Sequence, residues 1–521
     1  MKLLAELTHP NGELSKAEIN ENLLSKNVKL SLETYGGKVQ VDWDRSASVT
    51  PLGQMAFFIE YLKLGGLFDG WVDDCPLEFS SNNAPDKRDV LGTLLLSVLS
   101  GHKRYSHITA IRCDGVNPGL LGMKKIVSED SMRRALEKIG ELEGVSWLQN
   151  HLHKCYDPLL SVPWVLDIDT TVKVLYGKQE GAVVGYNPKK PGRPSHTYHT
   201  YFIGNLRLVL DVEVRAGNQM SSSYSAPDLR ALLTQIPKNN WPQFIRGDCG
   251  FGTDRVMSDA EELGVDYLFK LKITKNVKKL IEQLMINNLW ENAGQGWEGQ
   301  ESLLQLMGWS KYRRVIVMRR QVKKDIGVLT YSETDSKQLE FSFGDIDDKK
   351  RVYEYAVLVT TIPDEIITVA QHYRDRADCE NVFDELKNQW GWGGYTTQDL
   401  HRCQLVARSV GLIYNWWNLF VRLAEPNKYL EAITSRPLLL HGVGKQTVHA
   451  GQTKISISSM HGSTSRVKRL LSRVTSFFSE LKAIAEHLTS DELWLRILSK
   501  SVEKYLGGRQ LQPLLRVPIL G

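Results

Sequence analysis

The chain has 521 residues, 42% of them hydrophobic and 24% charged, and its 65 basic and 60 acidic side chains leave a net charge of +5. That length exceeds a single compact core and predicts about three or four domains or subdomains. So small an excess of charge does not by itself mark a nucleic-acid binder; any such argument rests on local basic faces.

The apolar run Val90 to Leu99 is too short for a bilayer and carries Gly92, Thr93 and Ser97, so it reads as a buried helix. Glu6 falls where an export signal needs apolar residues, and none is read. Six cysteines without a CxxC pair fit a reducing cytoplasm. A zinc site from His151, His153 and Cys155 is weighed against a plain helix end; no second ligand pair follows, which favours the latter.

In chain order, residues 1–155 read as mostly helical. Met55 to Leu64 is stopped by Gly65-Gly66, and Pro85-Asp86 precedes the second apolar run. Ser128 is placed to cap a short helix with acids in its first turn and Arg133 and Arg134 after it. That helix suits either a helix-turn-helix reader of DNA or a solvated surface.

The period then changes. Trp164 to Asp169, Thr197 to Ile203 and Leu206 to Val214 read as strands, the last two joined at Gly204-Asn205. Pro227 opens a helix that Pro237 closes, and Gln243 to Gly247 is a fourth strand. A helix from Thr253 to Gly264 and a fifth strand, Val265 to Leu271, follow. Three strands, helix, strand, helix, strand is the order of a ribonuclease-H-like core with a mixed five-stranded sheet. The predicted fold is therefore α/β. It has a helical DNA-binding region at 1–155, a core at 156–274 and 358–425, a β-rich insertion at 275–357 and a helical region for DNA binding or dimerisation at 426–521.

Asp167 and Asp169 share one face of the first strand, and Asp248 ends the fourth. Carboxylates so placed cost several kcal/mol unless paired or bound to metal, and ligands of open α/β sheets gather at such strand ends. Tyr373, Arg376, Glu380 and Lys387 fall at i, i+3, i+7 and i+14 of a segment that reads as helix. They form a stripe roughly 21 Å long beside Phe383 and Leu386, with Asp384 pointing close to it.

The pattern Tyr373-x2-Arg376-x3-Glu380-x6-Lys387 resembles the Y-R-E-K signature of bacterial insertion-sequence transposases. Asp169-Thr170 resembles their first-acid motif, and Arg246-Gly247-Asp248-Cys249-Gly250-Phe251 their second. The broad group is the IS-four superfamily. Gly177 to Gly181, Gly185-Tyr186, Arg215 to Asn218 and Thr434 to Pro437 resemble its IS-thirteen-eighty branch, and the match runs over about residues 50 to 460.

The resemblance implies cut-and-paste transposition of double-stranded DNA in a bacterial cytoplasm: cleavage at the transposon ends, then strand transfer into target DNA. Two Mg2+ ions, with Mn2+ as substitute, would sit on Asp169, Asp248 and Glu380, about 3.5–4 Å apart. Tyr373, Arg376 and Lys387 would contact the transposon end, and a homodimer would pair two ends. Tyr355 lies where relatives place a base-stacking aromatic, although a strand aromatic packed in the core is the favoured reading of its position. Lys189, Lys190 and Arg193 resemble part of a minor-groove hook. Further basic groups lie at Arg313 to Lys324 and Arg466 to Arg473. The alternatives are a nuclease that does not join strands and an end-binding regulator without catalysis.

Overall fold

The computed structural model describes residues 30–42, 44, 46–81, 83–187, 190–219, 229–287, 289–322, 352–395, 397–460 and 462–511. Lys189, Pro227, Lys323, Lys324 and the strand expected from Leu339 to Phe343 lie outside them.

A hairpin of β1 (Leu30–Thr34) and β2 (Gly37–Val41) precedes the first described helix. It departs from the mostly helical expectation for this region. Leu30, Leu32, Val39 and Val41 alternate with polar residues about Tyr35-Gly36, the period of a strand. After β3 (Val49–Thr50) come α1 (Met55–Leu64) and α2 (Leu67–Asp73), separated by Gly66 at φ +57°. In α3 (Lys87–Leu99) the Asp86 carboxylate accepts the Arg88 amide at 2.9 Å, and every residue from Asp89 to Leu99 is buried. Ser128 caps α4 (Glu129–Glu137) by accepting the Ser131 amide at 3.2 Å, and α5 (Glu141–Tyr156) follows.

The core then opens with β4 (Val165–Val174), extending five residues past Asp169. The short β5 (Val183–Val184) is followed by β6 (Pro194–Ile203) and β7 (Leu208–Ala216). Gly204 to Leu206 forms a tight turn between the last two, with Arg207 left-handed at φ +52°. Residues 229–234 are helical, β8 is Phe244–Gly247, α6 is Asp254–Leu263 and β9 is Asp266–Lys270. Thr253 stands at the N-cap of α6 by position, without a capping hydrogen bond from its side chain, and Gly264 ends the helix at φ +75°.

Within the sheet the core strands lie in the order β7-β6-β4-β8-β9. β6 runs antiparallel to β4 and β7, whereas β8 runs parallel to β4 and to β9. The segment expected as an insertion begins with α7 (Lys275–Asn287), then β10 (Glu291–Gly294), β11 (Trp297–Leu304), β12 (Arg313–Val322) and β13 (Val352–Thr360). These strands continue the core sheet, because β13 pairs with β9 and gives ten strands among the described residues.

Two helices follow, α8 (Ile366–Arg374) and α9 (Ala377–Gln389), then the 25-residue α10 (Leu400–Ala424), whose sides are buried almost throughout. Asn415 of α10 brackets β7, accepting the Val209 amide at 2.8 Å and donating to the Val209 carbonyl at 2.7 Å. Beyond α11 (Ala432–Leu439), the hairpin of β14 (Gly444–His449) and β15 (Gln452–Ile457) pairs with β3. Two longer helices follow, α12 (Thr464–Ile484) and α13 (Ser490–Ser501), and a single helical turn at Glu503–Leu506 comes last. No helix among the described residues is long and apolar enough to cross a membrane.

Candidate active site

Strand register places the candidate residues. Ile168 of β4 pairs with Gly247 of β8, and Gly247 with Phe269 of β9. One step further on, Asp169 midway along β4, Asp248 just past the end of β8 and Lys270 at the end of β9 stand abreast on three parallel strands, with about 4.8 Å between neighbours. The Asp248 carboxylate accepts the Gly250 amide at 2.8 Å, which turns the chain away from the sheet.

One face of this sheet carries the candidate residues. Asp167 pairs with Phe202 and Asp169 with Thr200, so all four project to the same side. There Phe202 packs edge-on against Phe383 of α9, with ring centroids 4.9 Å apart. That contact seats α9 over β6, beside the strand that carries Asp167 and Asp169. Arg207, in the β6–β7 turn, holds Asp378 near the helix start at 2.7 Å.

Asp167 and Asp169 divide their roles. Asp167 is 1% exposed and forms a two-pronged ion pair with Arg246, its register partner on β8, at 2.5 and 2.7 Å. Arg246 also donates to the His372 carbonyl at the end of α8. The pair is a clamp that fixes β4, β8 and α8 together. Asp169, 19% exposed, instead meets Arg376 at 3.3 Å.

The expected single stripe is interrupted. Tyr373 lies in the last turn of α8 and Arg376 precedes α9, because the Arg376 amide closes a tight turn onto the Tyr373 carbonyl at 3.1 Å. The Arg376 guanidinium is buried and bridges the Glu380 and Asp169 carboxylates. Glu380 is largely exposed on α9, and Lys387 lies two turns further along. Asp384 faces solvent and accepts from Asn388 at 2.7 Å.

The charges form one coupled group. Burial pushes the Asp169 carboxyl up to about 6; Arg376 and Lys387 oppose the shift, while Asp248 and Glu380 add to it. Burial also works against the Arg376 charge, yet Asp169, Tyr373, Glu380 and Asp248 hold its proton more tightly than usual. Tyr373 is pushed up, first by burial. Lys270 was not singled out from sequence. Its ammonium is drawn down by burial, while Cys249 and Glu380 raise it. Its strand was legible, but its level beside Asp248 depends on register between strands.

Three carboxylates that feel one another suit a divalent cation in donor chemistry, and the guanidinium supplies positive charge between two of them. As placed, the three are not gathered around one point: no group of three or more His, Cys, Asp or Glu among the described residues is arranged to hold an ion.

A family model described as Transposase DDE domain group 1 matches residues 80–477. The chain belongs to the DDE transposase family. The match spans Asp169, Asp248, Glu380 and the whole Y-R-E-K pattern, so this family's domain includes both the core and the continued sheet. This DDE transposase is also similar to the piggyBac transposase in a cryo-EM structure of its synaptic complex with hairpin DNA. Identity is 10% and the TM-score 0.35, over 88% of this chain and 86% of that one. Comparison with curated proteins gives no match.

Other expected DNA contacts sit apart from the acids. Lys190 and Arg193 are exposed and lie over the Tyr176 ring, 5.1 and 5.6 Å from its centroid. Tyr355 is half-buried on β13 and packs against the core. The arginines of β12 are drawn into pairs: Arg313 to Asp254 at 2.6 Å and Glu261 at 2.9 Å, Arg314 to Glu301 at 2.6 Å, Arg319 to Glu298 at 2.8 Å, and Arg320 to Glu354. They hold the sheet rather than present a bare cationic face.

Proposed function

We propose that this DDE transposase cleaves double-stranded DNA at transposon ends and joins the freed ends to target DNA, as a member of the IS-thirteen-eighty group. The observation that carries the reading is Arg376, buried between Asp169 and Glu380 where Asp169 of β4 stands beside Asp248 at the end of the adjacent parallel strand. The core connectivity, read as ribonuclease-H-like, supports it.

Asp169, Asp248 and Glu380 would hold two Mg2+ ions, with Mn2+ able to replace them. When bound, the ions supply Lewis acidity for in-line displacement at phosphorus. Arg376 keeps a charge fixed beside the acids and is placed to take a phosphate oxygen when the carboxylates turn to other partners. Lys387, about 10 Å beyond Glu380 along α9, meets a further phosphate. Tyr373, half-buried and near enough for its charge to act on Arg376, would help keep the guanidinium at the site. Lys190 and Arg193, with Lys189 beside them in sequence, offer a cationic loop for the transposon end. Tyr355 packs on the core, which leaves it poorly suited to stack on a base.

The helical N-terminal region is assigned end-specific contacts, and the region after residue 426 DNA contacts or pairing of two copies on two ends in a bacterial host. Short inverted repeats flanking the reading frame would supply the substrate. Labelled end duplex, target plasmid and Mg2+ should yield cleaved and joined product, and Asp248→Asn should reduce both to background while end binding persists. Cleavage without joining would identify a nuclease, and binding without either would identify a regulator. Full activity of the Asp248→Asn variant would remove this site from the chemistry.

A further inference from the structure

A cleft of about 740 Å³ leads away from the acids along the second half of β4. It starts at Thr171, two residues beyond Asp169, and takes in Lys387 of the Y-R-E-K pattern. Lys103 and Arg104, on the loop after α3, face Lys173 of β4 across it, and Arg133 of α4 lines the same wall. No acidic side chain among the described residues lines the cleft.

Arg133 is paired with Asp130 at 3.1 Å and Glu129 at 3.5 Å on its own helix. Lys103, Arg104 and Lys173 have no ion-pair partner among the described carboxylates. Three cations from two separate elements therefore converge with their charges uncompensated, an arrangement that mutual repulsion disfavours unless an anion enters. Lys173 is half-buried, and burial with Arg104 nearby draws its ammonium below the usual lysine range.

The floor is built to keep this approach close. Gly391 and Gly393 have φ of +69° and +71°, and a Cβ at Gly394 would lie 2.1 Å from the Lys103 carbonyl oxygen. Side chains at these positions would push the Lys103–Arg104 loop away from β4. At the outer rim, Tyr176 carries Lys190 and Arg193 on its ring and continues the positive surface.

The volume falls within the range of small-ligand pockets, roughly 300–1,000 Å³, and is far too small for a duplex. The Thr171–Tyr176 wall is about 16 Å long, enough for a few nucleotides of one strand. We propose that this cleft holds an unpaired DNA segment leading from the scissile phosphate, with its phosphates on Lys103, Arg104 and Lys173. The proposal rests on the transposase reading for why such a strand arises here, but it concerns residues outside the acids and the Y-R-E-K pattern apart from Lys387.

Binding of fluorescein-labelled hexathymidylate to the full chain in EDTA tests it without cleavage. Combined Lys103→Gln, Arg104→Gln and Lys173→Gln should weaken this binding by about tenfold or more. The slope of log affinity against log salt should flatten by roughly 2, about 0.7 for each cation removed. Affinity for a short blunt duplex should change less than about twofold. Unchanged hexathymidylate affinity, or an equal loss for the duplex, overturns the proposal. In a second readout, a 5-iodouracil version of the oligonucleotide should crosslink by light within residues 103–106 or 171–179 of the unmutated protein; crosslinks confined elsewhere overturn it. Cleavage of end DNA by a protein that does not bind hexathymidylate refutes the cleft alone. Binding and crosslinking there without any cleavage of ends supports the cleft and refutes the transposase reading.

Discussion

Arg376 is where the candidate site's electrostatics meet. A guanidinium that touches two carboxylates lowers the cost of crowding acids at buried strand ends, and the same charge suits a phosphate once those acids have other partners. The two acids of β4 then separate by experiment. Asp167→Asn breaks a buried, two-pronged pair with Arg246 and should cost about 3–5 kcal/mol in urea unfolding, while Mn2+ affinity changes little. Asp169→Asn removes a carboxyl whose ionisation is already disfavoured, so its stability loss should be smaller, and Mn2+ binding followed by electron paramagnetic resonance should collapse. The reverse pattern would make Asp167 the first ligand.

At the scale of elements, the joint between α8 and α9 decides the site. A continuous helix would have carried Tyr373 and Lys387 along one straight stripe, whereas the tight turn at Asp375-Arg376 folds Arg376 down onto β4. Sequence spacing placed these residues on a common side but did not show the turn, because neither Asp375 nor Arg376 is a helix breaker. Strand β6 is buried on both faces, and it carries a titratable group at its centre. His199 contacts the Thr197 hydroxyl and the Gln219 carbonyl, each at 3.2 Å, and burial pushes its imidazole down to about 4. A folded value below the unfolded one, near 6.5, means that stability is whole above pH 6.5 and drains as the pH falls towards 4. The loss should approach about 3 kcal/mol. Urea unfolding from pH 7.5 to 4.5 should show a shallower decline for His199→Gln than for the unmodified protein; parallel curves would assign the acid sensitivity elsewhere.

Across the whole molecule, segments far apart in sequence build common structure. The Gly53 amide donates to the Gly442 carbonyl at 2.7 Å, β3 pairs with β14, and Arg436 donates to the Val98 and Gln389 carbonyls at 3.2 and 2.6 Å. A Cβ on Gly53 would lie 2.6 Å from the Gly442 oxygen and 3.0 Å from the Gly444 Cα, both backbone atoms that cannot swing aside. Gly53→Ala should therefore destabilise the protein by about 1–3 kcal/mol and speed amide exchange across 444–457. Unaltered exchange there would mean that the N-terminal and C-terminal segments are not mechanically joined.

Sequence by itself determined the period of each core strand, their order with the intervening helices, the cap at Ser128, and the acids and Y-R-E-K residues as a chemical set. These are local properties, carried by neighbouring side chains and by spacing along one element. Tertiary structure alone decided that Asp167 clamps Arg246 while Asp169 meets Arg376, and that the strands after Lys275 extend the core sheet. It also decided that the arginines of β12 are paired, that Lys270 stands level with Asp169 and Asp248, and that Lys103, Arg104 and Lys173 converge beside them. Each of these depends on register or on packing between distant segments, where a one-residue shift reverses which face a side chain occupies. The acids named the chemistry, and the register between strands gave each one its partner.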